Sequence, residues 1–315
     1  MADNAIELAD VTKTFTAAQV PALQGVTFSV PAGSVVGLLG PNGAGKTTTI
    51  NILSTLIRPS TGTATVAGLD VVRDAPKVRA AIGLTGQYAA VDELLTGREN
   101  LVLFGRLRGL RRDAAKKRAD ELLDAFSLTE AAGRRLATYS GGMRRRVDIA
   151  CGLVVPPRVV FLDEPTTGLD PRSRREVWAL VGSLTKQGIT VLLTTQYLEE
   201  ADALADNIVV IDSGTVIADG TPDELKRKVG ASFCQVTPVD ADDVPRIAAA
   251  LAGLDGVETD AEGTSVSVPA PDGVATLGEV FRRVAELGVE LSDISLRKPS
   301  LDEVFLKLTG QAVPA

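Results

Sequence analysis

The sequence predicts an α/β protein in two parts: a larger domain over residues 1–230 built on a mainly parallel sheet, and a small α+β domain over residues 231–315. Three observations predict it. Short continuous apolar runs alternate with helical patterns, and such runs mark strands buried on both faces, as in parallel sheets. One of those runs passes through a glycine-rich loop into a helix, a connection that belongs to α/β folds. The charge is also uneven: residues 231–315 hold 6 Lys+Arg against 14 Asp+Glu, whereas the whole chain holds 33 against 40. A shift of this size marks a domain boundary.

The elements follow in order. Residues 34–39 form an apolar run ending at Gly40, and residues 47–57 read as a helix stopped by Pro59. Met143, Val147, Ala150, Cys151 and Val154 recur at helical spacing and form one apolar stripe. Buried strands are predicted over 159–162, 189–194 and 208–211. In the second part, residues 233–237 read as a strand and 245–251 as a helix. Residues 257–259 and 265–268 give two more strands, and the stripe Leu277, Val280, Phe281, Val284, Leu287 gives a helix. A strand over 289–294 and a helix carrying Leu301, Val304, Phe305 and Leu308 complete it. The strand-helix-strand-strand-helix-strand order is that of a ferredoxin-like domain.

Composition excludes several functions. With 45% apolar and 23% charged residues the chain is an ordinary packed protein rather than a disordered one. A net charge of −7 argues against nucleic acid as a partner. The absence of histidine rules out a Ser-His-Asp triad, a His-ligated metal and a histidine base. Cys151 and Cys234 are too few for a disulfide framework and read as small buried hydrophobes in a reducing compartment. The N-terminus lacks a basic stretch followed by an apolar run, so no signal peptide is expected. No run approaches the ~20 apolar residues that span a bilayer. Any membrane part must therefore come from another chain.

The strongest local signal is Gly40-Pro41-Asn42-Gly43-Ala44-Gly45-Lys46-Thr47, a G-x-x-x-x-G-K-[ST] match between a strand and a helix. Its glycines let successive backbone N–H groups turn inward toward phosphate oxygens, and the following helix N-terminus adds partial positive charge. Lys46 is expected at the β- and γ-phosphates and Thr47 at Mg²⁺, with Gly40, Asn42, Gly43, Gly45 and Thr48 completing the cradle. The strand 159–162 ends in Asp163-Glu164. An acid at such a strand end holds Mg²⁺ through water, which suits Asp163. Glu164, its side chain turned elsewhere by strand alternation, is placed to orient or deprotonate a water at the γ-phosphate.

Taken with the segment between them, these pieces resemble the P-loop NTPase domain of ATP-binding-cassette proteins over most of residues 5–230. Tyr139-Ser140-Gly141-Gly142-Met143 is similar to the family's LSGGQ signature loop. The resemblance implies that Ser140, Gly141 and Gly142 cap the γ-phosphate held by an opposite subunit, again from a helix N-terminus. It implies that Gln87 contacts Mg²⁺ and water and couples the site to a membrane partner. It also implies that Asp170, in Gly168-Leu169-Asp170, crosses the dimer interface and that Phe15 stacks on adenine; a core phenylalanine is the competing reading of Phe15. Where the family places a histidine at the γ-phosphate, this chain has Gln196, which can donate a hydrogen bond but carries no proton near neutral pH.

Three further segments narrow the resemblance: residues 139–146, residues 193–202 and Pro299-Ser300-Leu301-Asp302-Glu303-Val304-Phe305-Leu306. They resemble the daunorubicin-resistance (DrrA-type) ATP-binding subunits of actinobacteria, in which glutamine at the position of Gln196 is normal. That resemblance implies an ATPase at the cytoplasmic face of the cell membrane, held there by a separate integral membrane permease, that powers export of hydrophobic drugs, antibiotics or complex lipids. One phosphate loop and one signature loop per chain cannot complete a two-site sandwich, so a second copy, head to tail, or a related chain is required. Two alternatives stand beside it: a soluble cassette protein acting on ribosomes or DNA, and a regulatory module whose slow hydrolysis acts as a timer. The arginines within 106–118 and at 144–146, which would serve the first alternative, read as solvated helical faces.

Overall fold

The computed structural model describes residues 3–16, 20–86, 90–229, 232–260 and 262–309, and these divide into two compact units, 1–222 and 223–315. The first unit opens with the antiparallel pair β1 (Asn4–Lys13) and β2 (Leu23–Pro31), then β3 (Val35–Leu39), the glycine-rich loop and α1 (Lys46–Leu53). β4 (Thr61–Val66), β5 (Leu69–Asp70), α2 (Ala75–Ala81) and β6 (Ile82–Thr85) come next. Three helices follow in succession, α3 (Gly97–Leu107), α4 (Arg112–Ala125) and α5 (Gly141–Gly152). The unit then alternates through β7 (Val159–Asp163), α6 (Pro171–Lys186), β8 (Thr190–Thr195), α7 (Leu198–Leu204), β9 (Asn207–Asp212) and β10 (Thr215–Gly220).

The larger sheet has the order β10-β9-β3-β8-β7-β6, parallel except for β10 at its edge. Every residue of β3, β7 and β8 is buried because both faces are covered. On one face Val36, Leu38, Phe161, Leu192 and Val209 pack with Ile6, Leu8, Val26 and Phe28 of the antiparallel sheet β2-β1-β4-β5. On the other, Val35, Val160, Leu162, Val191 and Leu193 pack with Leu101, Leu122, Val147, Ile149 and Val181 of the helices. Period-two alternation thus sends neighbouring residues into opposite cores, each fully buried Val, Leu or Phe contributing about 1.5–3 kcal/mol. The helical stripe is real: Val147, Ala150, Cys151 and Val154 are all buried. The antiparallel sheet has no counterpart among the sequence-predicted elements, since its strands carry alternating rather than continuous apolar residues.

One topological detail positions the site. β8 lies between β3 and β7, so the loop after β3 and the acids after β7 flank its C-terminal end. The carboxyl ends of parallel strands are where such sheets bind ligands.

The second unit contains most of α8 (Pro222–Val229), then β11 (Phe233–Pro238), α9 (Val244–Leu251), β12 (Glu258–Thr259), β13 (Val266–Pro269), α10 (Val274–Ala285), β14 (Leu291–Arg297) and α11 (Leu301–Thr309). Its sheet is antiparallel with the order β12-β13-β11-β14, the ferredoxin-like arrangement that the element order predicts. Cys234, Val236, Ile247, Leu251, Val266, Val268, Val280 and Val284 fill its core. Both cysteines are buried and free.

Candidate active site

The glycine loop is held by sterics that only glycine satisfies. A Cβ at Gly40 would lie 2.1 Å from the carbonyl oxygen of Ile211, and one at Gly45 would lie 2.6 Å from Leu23 Cδ2. Gly45 also has φ of +112° and is the N-terminal flank of α1. Inside the loop the Lys46 ammonium is buried and donates to the carbonyls of Gly40 (2.7 Å) and Pro41 (3.1 Å). Burial lowers its pKa from the usual ammonium value, and the carboxylates of Glu164 and Asp163 oppose that shift. Thr47 is exposed beside it, and its hydroxyl donates to Asp163 Oδ2 at 3.4 Å. The loop lysine, the loop threonine and both strand-end acids are thus assembled in one place.

Asp163 ends β7 and is buried, with its Oδ1 accepting from the Thr194 hydroxyl at 2.5 Å. Glu164 leaves the strand in a left-handed backbone conformation, φ 46°, which is strained for a residue with a Cβ. Its N–H donates to both the carbonyl (3.1 Å) and the hydroxyl (3.0 Å) of Thr194, and its Oε2 accepts from the Thr167 hydroxyl at 3.2 Å. The departure from strand geometry, more than strand alternation, is what turns Glu164 away from Asp163.

Ser140 is the N-cap of α5, and its Oγ accepts from the Met143 N–H at 3.2 Å. Gly142 packs so closely on α6 that a Cβ there would lie 2.4 Å from Ser173 Oγ, whereas Gly141 is exposed. Ser173 in turn donates its hydroxyl to Asp170 Oδ2 at 2.6 Å. Asp170 caps α6 by accepting from the N–H groups of Arg172 and Ser173; the Ser173 hydroxyl first, and then these backbone bonds, lower its pKa. Signature loop and Asp170 loop are therefore joined through Ser173, and Ser140 and Asp170 remain exposed.

Gln196 follows β8 directly and is half-buried. Phe15 is 42% exposed with the Lys13 ammonium 5.3 Å from its ring centroid, so it is not a core residue. Gln87 lies outside the described residues.

Two features escaped the sequence reading. The first is Arg145. Within the run Arg144–Arg146, expected to be a solvated face, Arg145 is only 9% exposed and spends its guanidinium on the carbonyls of Asp163, Pro165 and Gly86 and on Asp148. Arg146 reaches inward as well, donating to the Phe126 carbonyl, while Arg144 pairs at the surface with Glu93. The helical stripe of α5 is wider than its apolar residues suggest, because arginine buries its stem and finds carbonyls at its tip.

The second is Glu200 of α7, which is fully buried. Trp178 Nε1 donates to its Oε1 at 3.1 Å, and Oε2 has no hydrogen-bond partner among the described residues. Burial raises its pKa, outweighing Thr195, Thr166, Trp178 and Arg174, which favour the ionised form. The folded protein therefore binds this proton more tightly than the unfolded chain. Stability falls as pH rises from the ordinary carboxylate range through the raised folded value. Glu200→Gln is expected to melt with the parent protein below about pH 4 and at a higher temperature at pH 7–8. Thermal melts at the two pH values check this, and an equal shift at both would reject it.

A glycine loop holding a buried lysine, with a threonine hydroxyl and two strand-end acids at the same sheet edge, defines a P-loop nucleotide-hydrolysing domain. Comparison with known proteins agrees. The ABC transporter family matches residues 23–167, and the family described as ATP-binding protein DrrA1-3-like, C-terminal domain, matches residues 220–309. The doxorubicin resistance ATP-binding protein DrrA of Mycobacterium tuberculosis (strain ATCC 25618 / H37Rv) is 56% identical over 98% of this chain and 94% of its own length. The daunorubicin resistance ATP-binding protein DrrA2 of Streptomyces coeruleorubidus is 57% identical over 92% of this chain and 90% of its own. The dimeric post-hydrolysis state of the ATP-binding cassette MJ0796, bound to ADP and Pi, superimposes with a TM-score of 0.63 at 28% identity, over 69% of this chain and 98% of that one. The chain belongs to the ABC transporter family, among its DrrA-type drug-resistance ATP-binding subunits, and is an ATPase that powers an exporter. No helix among the described residues is long and apolar enough to cross a membrane.

Proposed function

We propose that two copies of this chain, head to tail, bind two ATP molecules and drive an integral membrane permease that exports hydrophobic drugs or antibiotics from the cytoplasmic face of the membrane. The observation that carries the reading is the assembly of Lys46, Thr47, Asp163 and Glu164 at one sheet edge in a chain with a single signature loop. The names of the two relatives support the cargo class.

In this reading Lys46 binds the β- and γ-phosphates, with Gly40, Asn42, Gly43, Gly45 and Thr48 shaping the cradle. Phe15 stacks on the base. Mg²⁺, when bound, neutralises charge on the phosphate oxygens, and Thr47 and Asp163, with Gln87, are the residues that hold it. A hydroxyl and a carboxylate 3.4 Å apart are the hard oxygen donors this ion takes, though too few to cage it without phosphate and water. Glu164 takes a proton from the attacking water, and Gln196 donates an amide hydrogen bond to the γ-phosphate. The opposite copy supplies Ser140, Gly141 and Gly142 to close the site, with Asp170 at the interface. Residues 231–315 act as an accessory assembly domain.

An apolar groove of about 330 Å³, lined by Leu56, Leu84, Ala90, Phe104 and Leu107, supports the membrane partner. Leu107 is 73% exposed, and Ala90 follows closely on Gln87 in sequence, so we assign the groove to a cytoplasmic segment of the permease.

The test is purification of the tagged full-length chain from detergent-solubilised native membranes. A stoichiometric multi-span protein is expected; recovery with ribosomal or other soluble proteins alone would reject the reading. Gln196→Ala is expected to slow hydrolysis about tenfold, the loss of one hydrogen bond to an anion. An unchanged phosphate-release rate would remove Gln196 from the site.

A further inference from the structure

We infer that Arg145 is a positioning residue for Glu164, locked in place by Asp148; the inference rests on the reading of Glu164 as the water-activating group. A left-handed backbone at a residue with a Cβ persists only where its surroundings over-determine it. At Glu164 they do so from both sides. Arg145 Nη2 donates to the carbonyl of the preceding residue, Asp163, at 3.0 Å, and Nε donates to the carbonyl of the following residue, Pro165, at 2.9 Å. Thr194 takes the N–H of Glu164 itself. The peptide groups before Glu164 and after Pro165 are thus held by something other than β7 itself.

The guanidinium is held in turn. Nη1 donates to Asp148 Oδ2 at 3.2 Å and to the Gly86 carbonyl at 2.8 Å. Asp148 Oδ1 accepts the Ala90 N–H at 3.0 Å. Arg145 and Asp148 are both at least nine-tenths buried, so neither charge is diluted by water. A planar fork with fixed donor directions converts these bonds into an orientation, which a single ammonium cannot do. The pair lies three residues apart on α5, directly after the signature loop, so one helix carries both the loop facing the opposite copy and the arginine that sets this copy's Glu164.

The experiment uses the full-length ATPase and four proteins: Arg145→Lys, Asp148→Asn, Glu164→Gln and the double variant Arg145→Lys/Glu164→Gln. Arg145→Lys keeps the charge and loses the fork. It is expected to lower kcat about tenfold or more, since small misplacements of a reacting group are costly, with the KM for ATP within about twofold because Lys46 and its loop are untouched. Asp148→Asn is expected to act in the same direction and less strongly, and it carries the test if Arg145→Lys does not fold. The deciding readout is non-additivity: in the Glu164→Gln background Arg145→Lys slows phosphate release no further. An Arg145→Lys enzyme with the parent kcat, or the same fold-loss in both backgrounds, would overturn the inference while a crippled Glu164→Gln leaves the Glu164 reading intact. A Glu164→Gln enzyme at the parent rate would overturn both.

Discussion

Glu164→Gln is expected to lower ATP hydrolysis by about 10²–10⁴-fold while leaving nucleotide binding within a few-fold, so that an ATP-bound dimer accumulates. The amide keeps the size of the carboxylate and can still accept from the Thr167 hydroxyl, but it cannot take a proton from water. The backbone bonds that hold the turn, from Arg145 and Thr194, do not involve the side chain and survive the substitution. Binding and turnover are thereby separated. Phosphate release measures the first effect, and light scattering with and without ATP measures the second. A rate within about threefold of the parent would show that the carboxylate is not the proton acceptor.

Lys46→Ala is expected to act one step earlier and to weaken ATP binding by about 10²-fold or more, the loss of a largely desolvated charge-assisted contact. The ammonium is buried, which lowers its pKa, and the carboxylates of Glu164 and Asp163 oppose that shift. Removing it takes a cation away from those two carboxylates at the place where more negative charge must arrive. Fluorescent-nucleotide titration checks the affinity. Near-normal binding would transfer the phosphate contacts to the backbone N–H groups of the loop alone. Together the two variants bracket the cycle: one fails to load, the other fails to discharge.

Much of this site is legible in the sequence because its parts are local. Gly40–Thr47 is a contiguous motif whose first and last glycines are explained in the structure, by a carbonyl 2.1 Å from where a Cβ at Gly40 would sit and by the left-handed backbone of Gly45. Asp163-Glu164 is readable because β7 is fully buried and must end where charge begins. The ferredoxin-like order of the second unit follows from short elements with clear periods. What stays hidden is what depends on contacts far apart in sequence. The strands β1, β2 and β4 alternate buried and exposed residues without a continuous apolar run, and β4 pairs with β1 from dozens of residues away. Arg145 looks like its neighbours in a basic run; only the fold brings Asp163, Pro165 and Gly86 to it from three separate segments. Glu200, which nothing in its own segment singles out, is buried because α7 packs on β3 and β8.

The contact between Trp178 and Glu200 has a practical consequence. The chain contains one tryptophan, and its indole N–H is bonded to a carboxyl four residues beyond Gln196. Indole emission responds to nearby charge and to the strength of that bond. Excitation selective for the indole of the unlabelled protein therefore reads a single, known seam between α6 and α7, adjoining the end of the strand that separates the phosphate loop from the acids. A wavelength shift on adding nucleotide, absent in Glu200→Gln, would turn this seam into an optical clock for the cycle, with no dye or engineered residue required.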